Sequence, residues 1–283
     1  MSKPLDELRR QPHWSFSSLN GFLNICSLQW AFRKIYFAEP EFVSSALPFG
    51  RAFHRACEHI AQVRIDGKDI DTDSVCDLFA TAWTEELTGN ELPVRYKAKE
   101  SAESLRETGE RMLRTYVDAL DPAETVLATS VPFSVDLTDI NGDVLDKPLI
   151  GELDLVIEHE DSAVIVDWKT SERRWSPGKT DRDLQPTVYL LAYAATHDGE
   201  PALFRYDVVT KAKTPCVERH LTIRVADDFN RLAELVKLAD RMVEAEHFVP
   251  NEQSFYCSGC PFQSDCRSWH RRKATRPVYS IAA

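Results

Sequence analysis

The chain has 283 residues, 43% hydrophobic and 28% charged. This excludes a disordered polymer and leaves room for a sizeable core in one large domain or two small ones. A formal charge of −11 argues against non-specific binding to duplex nucleic acid, though not against a focused groove. Basic residues gather near 33–55, 173–182 and 271–273 and are expected to line one surface. No apolar stretch approaches the roughly 18 uninterrupted residues of a membrane helix, and the first residues lack a signal-peptide core. A cytoplasmic protein with no membrane partner is therefore expected. In that compartment the seven cysteines read as free thiols or metal ligands rather than disulfides.

Residues 16–38 carry apolar positions at near-helical spacing after Ser17 or Ser18, which reads as an N-cap and a helix. A second helix is expected from Pro48 to about Arg64, and two more near 74–88 and 99–120. The character then changes. Residues 125–137, 149–158 and 162–169 are rich in Val, Ile and Leu, with Asn141-Gly142 and Glu160-Asp161 as turn signals. A helix at 183–197, strands at 203–210 and 216–223, and a helix at 226–247 complete the pattern. The polar, basic loop 171–182 is the expected mobile segment near a ligand.

The stretches 151–156 and 164–170 carry the chemistry. Side chains two apart on a strand share a face, so Glu152 pairs with Asp154, and Asp167 with Lys169. The short connection predicts an antiparallel hairpin that brings the groups together. Charges on such an apolar strand imply ion pairing or metal binding. Two carboxylates and a carbonyl oxygen suit a hard cation, Mg²⁺ or Mn²⁺, and His54 on the second helix would add a nitrogen that favours Mn²⁺. Glu152 reads equally as a ligand for a second metal or a solvated neighbour. At the chain ends, Cys26, Cys257, Cys260 and Cys266 form a thiolate set able to enclose a metal centre and clip the termini together. Zinc is the alternative there to iron–sulfur. Cys57, Cys76 and Cys216 fit no ligand spacing and read as small apolar residues.

Asp154 followed by Asp167-Trp168-Lys169 resembles the PD-(D/E)xK nuclease signature. Gln185 and Tyr189 resemble the Gln-xxx-Tyr motif of its RecB-like branch, which includes the AddB nuclease domain and CRISPR-associated exonucleases. His54 and the four cysteines are similar to that branch's first motif and to its iron–sulfur members. The resemblance runs from Ser17 to Cys266 and implies an α/β fold: a restriction-endonuclease-like core with a central mixed sheet of about five strands and helices on both sides. It implies one domain over 1–283, mainly helical over 1–120, with the nuclease core at 121–223 and a C-terminal helix and iron–sulfur-binding cysteine segment at 224–283. It further implies that His54, Asp154, Asp167 and the Trp168 carbonyl hold the catalytic metal. Lys169 would stand at the water, Gln185 and Tyr189 at the DNA strand, and a [4Fe–4S] cluster on the four cysteines.

The implied activity is metal-dependent hydrolysis of DNA phosphodiesters, exonucleolytic and directed at single-stranded ends, in repair, recombination or end processing. No phosphate-binding G-x-x-x-x-G-K-[ST] loop is present, so the motor would come from a helicase or other DNA-processing partner. The alternative reading is a catalytically weak nuclease-like protein that binds DNA or a partner around a structural metal cluster.

Overall fold

The computed structural model describes residues 4–273, the last three by backbone alone. The basic side chains expected at 271–273 lie outside the described residues. The chain opens with a short helix α1 (Leu5–Leu8), α2 (Phe16–Asn20), a π-helical turn (Gly21–Ile25) and α3 (Ser27–Lys34). Two-residue strands β1 (Val43–Ser44) and β2 (Val94–Arg95) pair in parallel around α4 (Ala46–Ile65) and α5 (Thr72–Thr88). Helix α6 (Ala102–Asp118) leads into the strands β3 (Thr125–Val135), β4 (Leu149–His159) and β5 (Ser162–Ser171). Helix α7 (Leu184–Thr196), strands β6 (Leu203–Thr210) and β7 (Val217–Thr222), α8 (Ala226–Glu244) and α9 (Gln263–Lys273) follow.

Strands β3 to β7 form one mixed sheet in sequence order, antiparallel except for the parallel β5–β6 pair. A parallel neighbour needs a crossover, and α7 supplies it. The β4–β5 hairpin closes at the His159–Ser162 pair, with Glu160 and Asp161 both at positive φ (49° and 56°). That is the backbone a two-residue turn of the I′ type demands.

The sheet separates two cores. On one face, Leu155, Ile157, Val164, Val166 and Trp168 meet α4, α5 and α6. On the other, Leu153, Val156, Ile165, Phe204 and Tyr206 meet α7, α8 and the N-terminal helices. The buried stripe of α4 (Phe49, Ala52, Phe53, Ala56, Ile60) follows helical spacing and seats the helix on the sheet. Close approach of α5 and α6 requires Gly109, since a Cβ there would meet the Phe79 ring at 2.1 Å.

The continuous helix expected over 16–38 is broken at Cys26, which is extended (φ −171°, ψ 112°). Its sulfur accepts the amide of Gln29 at 3.4 Å and so caps α3. The first cap is Ser15, whose hydroxyl accepts the amide of Ser18, rather than Ser17 or Ser18. The N-terminal helical segment is tied to the segment after α8. Val249 bonds to Ser27 through both its amide (2.7 Å) and its carbonyl (3.2 Å), and Glu41 donates its amide to the Pro261 carbonyl.

Candidate active site

The last ladder pair of the hairpin is Leu155 with Val166, so the next residue on each strand is Asp154 and Asp167. Leu153 enters one core and Leu155 the other, so the pleat alternation breaks at Asp154. On β3, Ser130 (φ 52°) interrupts the ladder between the Thr129–Leu155 and Val131–Leu153 pairs. Thr129 Oγ1 donates to the Asp154 carbonyl at 2.8 Å and holds this irregular backbone. Irregular strands are common where a side chain must be re-aimed toward a site.

The side chains converge. Asp154 Oδ2 accepts the Trp168 amide at 3.2 Å and lies 3.2 Å from His54 Nδ1. The other ring nitrogen of His54 stands 2.7 Å from the Trp168 carbonyl oxygen. Asp167 is 1% exposed; Oδ1 accepts the Gln185 amide, and Oδ2 is 2.5 Å from Lys169 Nζ. Gln185 Oε1 accepts the hydroxyl of Tyr206 at 3.3 Å. Trp168 is itself fixed from behind, its indole N–H donating to Tyr116 at 2.7 Å.

Electrostatics divide the two carboxylates. Burial pushes Asp167 up to about 6, with Lys169 opposing and Asp154 assisting. Burial also disfavours the Asp154 anion, but His54 and Lys169 outweigh it and hold its pKa below the ordinary value. Burial pulls His54 and Lys169 down, yet Asp154 and Asp167 reverse the balance and raise both. Opposite charges at this range favour the ionised forms.

Gln185 and Tyr189 are 3% and 9% exposed. Expected beside a DNA strand, both also make internal contacts. Gln185 orients Asp167, and Tyr189 packs edge-on against Phe133 and Phe204 and hydrogen-bonds Gln185. Glu152 lies close enough to Asp154 and Glu58 for their charges, after burial, to raise its pKa. Glu58 was not singled out from the sequence, although it lies one turn beyond His54 on α4. It bonds Ser130 and feels the charges of His54 and Asp154. The loop 171–182, expected to be mobile, is anchored: Trp175 donates its amide to Glu218 at 3.0 Å, and Arg224 bonds the carbonyls of Thr180 and Asp183.

These residues fit a hard divalent cation. Asp167 Oδ2 is buried without an aligned hydrogen-bond donor, and the convergent donors are carboxylate, carbonyl and imidazole. A second set, Asp121, Glu124 and His159, has ligand atoms within 4.8 Å of one another at the hairpin end of β4, away from Asp154. There Arg205 already pairs with Glu124.

Cys26, Cys257, Cys260 and Cys266 line one cavity of about 190 Å³. Two amides, from Gln29 and Asn251, point at Cys26 Sγ at 3.4 Å. Burial, then the charges of Cys26, Cys260 and Cys257, push the Cys266 thiol up to about 11. Four thiols lining one cavity are a donor set suited to a thiophilic metal centre. Cys57 and Cys76 are buried and Cys216 is half-buried, away from this set.

A mixed sheet whose central hairpin carries paired carboxylates and a lysine defines a nuclease-type core. Residues 13–267 match the family model of the PD-(D/E)XK nuclease superfamily, and the chain belongs to that family. Among solved structures, it is similar over its whole length to a protein from Eubacterium rectale described as a candidate exonuclease. That match has a TM-score of 0.53 at 15% identity and covers 97% of the other chain. A second structure, SSO0001, is similar at a TM-score of 0.38 and 13% identity, over 81% of this chain and 87% of its own. No curated protein matches. Among the described residues no helix is long and apolar enough to cross a membrane.

Proposed function

We propose that this chain is a divalent-metal-dependent deoxyribonuclease that degrades DNA from single-stranded ends. The observation that carries the reading is the convergence of Asp154, Asp167, His54, the Trp168 carbonyl and Lys169 at one end of the hairpin. In this reading His54, Asp154, Asp167 and the Trp168 carbonyl hold Mg²⁺ or Mn²⁺. When bound, such a cation would lower the pKa of a water and offset charge developing on the phosphoryl group. Asp167 and Asp154 favour the ammonium form of Lys169, so it orients the attacking water and stabilises the transition state by its charge. Gln185, braced by Tyr206, keeps the Asp167 carboxylate turned toward the site.

The same proposal assigns Cys26, Cys257, Cys260 and Cys266 to a [4Fe–4S] cluster that joins the two chain ends. Spacing supports iron–sulfur over zinc: structural zinc sites usually show two short pairs of ligands, whereas Cys26 stands 231 residues before Cys257. Exonucleolytic action rests on the RecB-like resemblance and on the description of the Eubacterium rectale protein. A role in DNA repair, recombination or end processing, beside a helicase or other DNA-processing partner, is proposed on the same resemblance.

The test is to give purified protein and Mn²⁺ either linear or circular single-stranded DNA. Loss of the linear form with the circle spared supports the reading. Equal cutting of both removes the exonuclease, and survival of both removes the hydrolase.

A further inference from the structure

We propose that His270 is a fifth donor at the cysteine cavity, able to take the coordination position of Cys26. The inference rests on the iron–sulfur reading of the four cysteines. His270 lies one helical turn beyond Cys266 on α9, so the two side chains share a face, and both line the same cavity. Its Nε2 atom is buried without a hydrogen-bond partner. Glu252, which also lines the cavity, stands 3.5 Å from that nitrogen, outside hydrogen-bond alignment. Buried polar atoms are nearly always paired; this imidazole nitrogen has the Glu252 carboxylate at ion-pair distance but no aligned hydrogen bond, and a metal centre among the four thiols would give it a direct partner.

Donor placement identifies Cys26 as the exchangeable ligand. Cys257, Cys260, Cys266 and His270 all fall within residues 257–270, so one local segment carries a complete set of four donors. Cys26 comes from the other end of the chain and also caps α3. Imidazole replaces thiolate on iron in known cluster types. The exchange breaks one Fe–S(Cys) bond and forms one Fe–N bond. The departing thiolate takes a proton from water, the imidazole gives its lone pair, and no electron is transferred. The clip between the chain ends then opens while the cluster stays with the C-terminal segment.

The experiment uses full-length protein reconstituted anaerobically with iron and sulfide, reduced, and examined by pulsed EPR for nitrogen-14 hyperfine coupling. Cys26→Ser keeps an acceptor for the Gln29 amide, and Cys26→Ala removes any ligand. The expected result is that either variant retains at least half the wild-type iron and sulfide and gains a nitrogen coupling. That coupling is absent from wild type and is lost when His270→Ala is added. No nitrogen coupling in either Cys26 variant, or a coupling that survives His270→Ala, overturns the inference. Wild-type protein that takes up no iron or sulfide defeats the cluster reading itself and this inference with it.

Discussion

Gln185 on α7 fixes the carboxylate of Asp167 on β5: its amide nitrogen donates to Oδ1, leaving Oδ2 to Lys169. The hydroxyl of Tyr206 in turn braces the Gln185 carbonyl at 3.3 Å. Through this relay the crossover helix sets the direction of a buried acid. Gln185→Ala is expected to raise the half-saturating Mn²⁺ concentration for cleavage by about 10–100-fold, the usual cost of losing a partner that orients a ligand. A Mn²⁺ titration of the cleavage rate checks it. An unchanged half-saturating concentration would mean that Asp167 needs no such support.

Lys169 is placed to act on charge rather than on metal retention. Lys169→Ala is expected to reduce the cleavage rate by about 10²-fold or more while DNA affinity stays within about threefold, because only transition-state stabilisation is lost. Single-turnover rates beside fluorescence-anisotropy binding separate the two quantities. Parallel loss of affinity would assign Lys169 to substrate binding.

How much of this was legible in the sequence depends on the element. The β4–β5 hairpin was legible because apolar runs and a two-residue turn leave few other pairings, and the paired acids followed from it. The break at Cys26 was not, since a sulfur capping a helix leaves no mark on apolar periodicity. The positive φ of Ser130, within a stretch that reads as plain strand, was equally hidden. Tyr206 left no sign in the sequence, because its hydroxyl's partner lies on another element. Glu58 and His270 did leave a signal: each lies four residues beyond a recognised candidate, His54 and Cys266, on the same helical face.

Metal ligation at the cysteines should be visible directly. Cys260→Ser is expected to give colourless protein with a lower thermal midpoint, because ligation contributes folding energy at such sites. Absorption spectra and a melting curve of anaerobically prepared protein test this. A brown variant that melts with the wild type would remove Cys260 from the ligand set.

Away from both centres, Asp139 ties the segment after β3 to α8. The Lys237 ammonium at 2.6 Å and the Asp143 and Asn141 amides hold its carboxyl down to about 2, below its ordinary value of 3.8. A carboxyl with a depressed pKa contributes stability above the ordinary value and loses it as pH falls through the folded one. Asp139→Asn is therefore expected to be less stable than wild type at pH 7, with the gap closing between about pH 4 and pH 2. Urea midpoints at several pH values follow it. A gap that does not change with pH would show that the ion pair contributes nothing.

The central claim is that Asp154 and Asp167 together make a hydrolytic metal site. The most direct measurement is degradation of end-labelled single-stranded DNA in Mn²⁺ by wild type and by Asp167→Ala, with circular dichroism confirming that both are folded. The account predicts rapid loss of label with wild type and a rate at least about 10³-fold lower with the variant, as expected when a cation's carboxylate ligand is removed. Equal rates from the two folded proteins would contradict it.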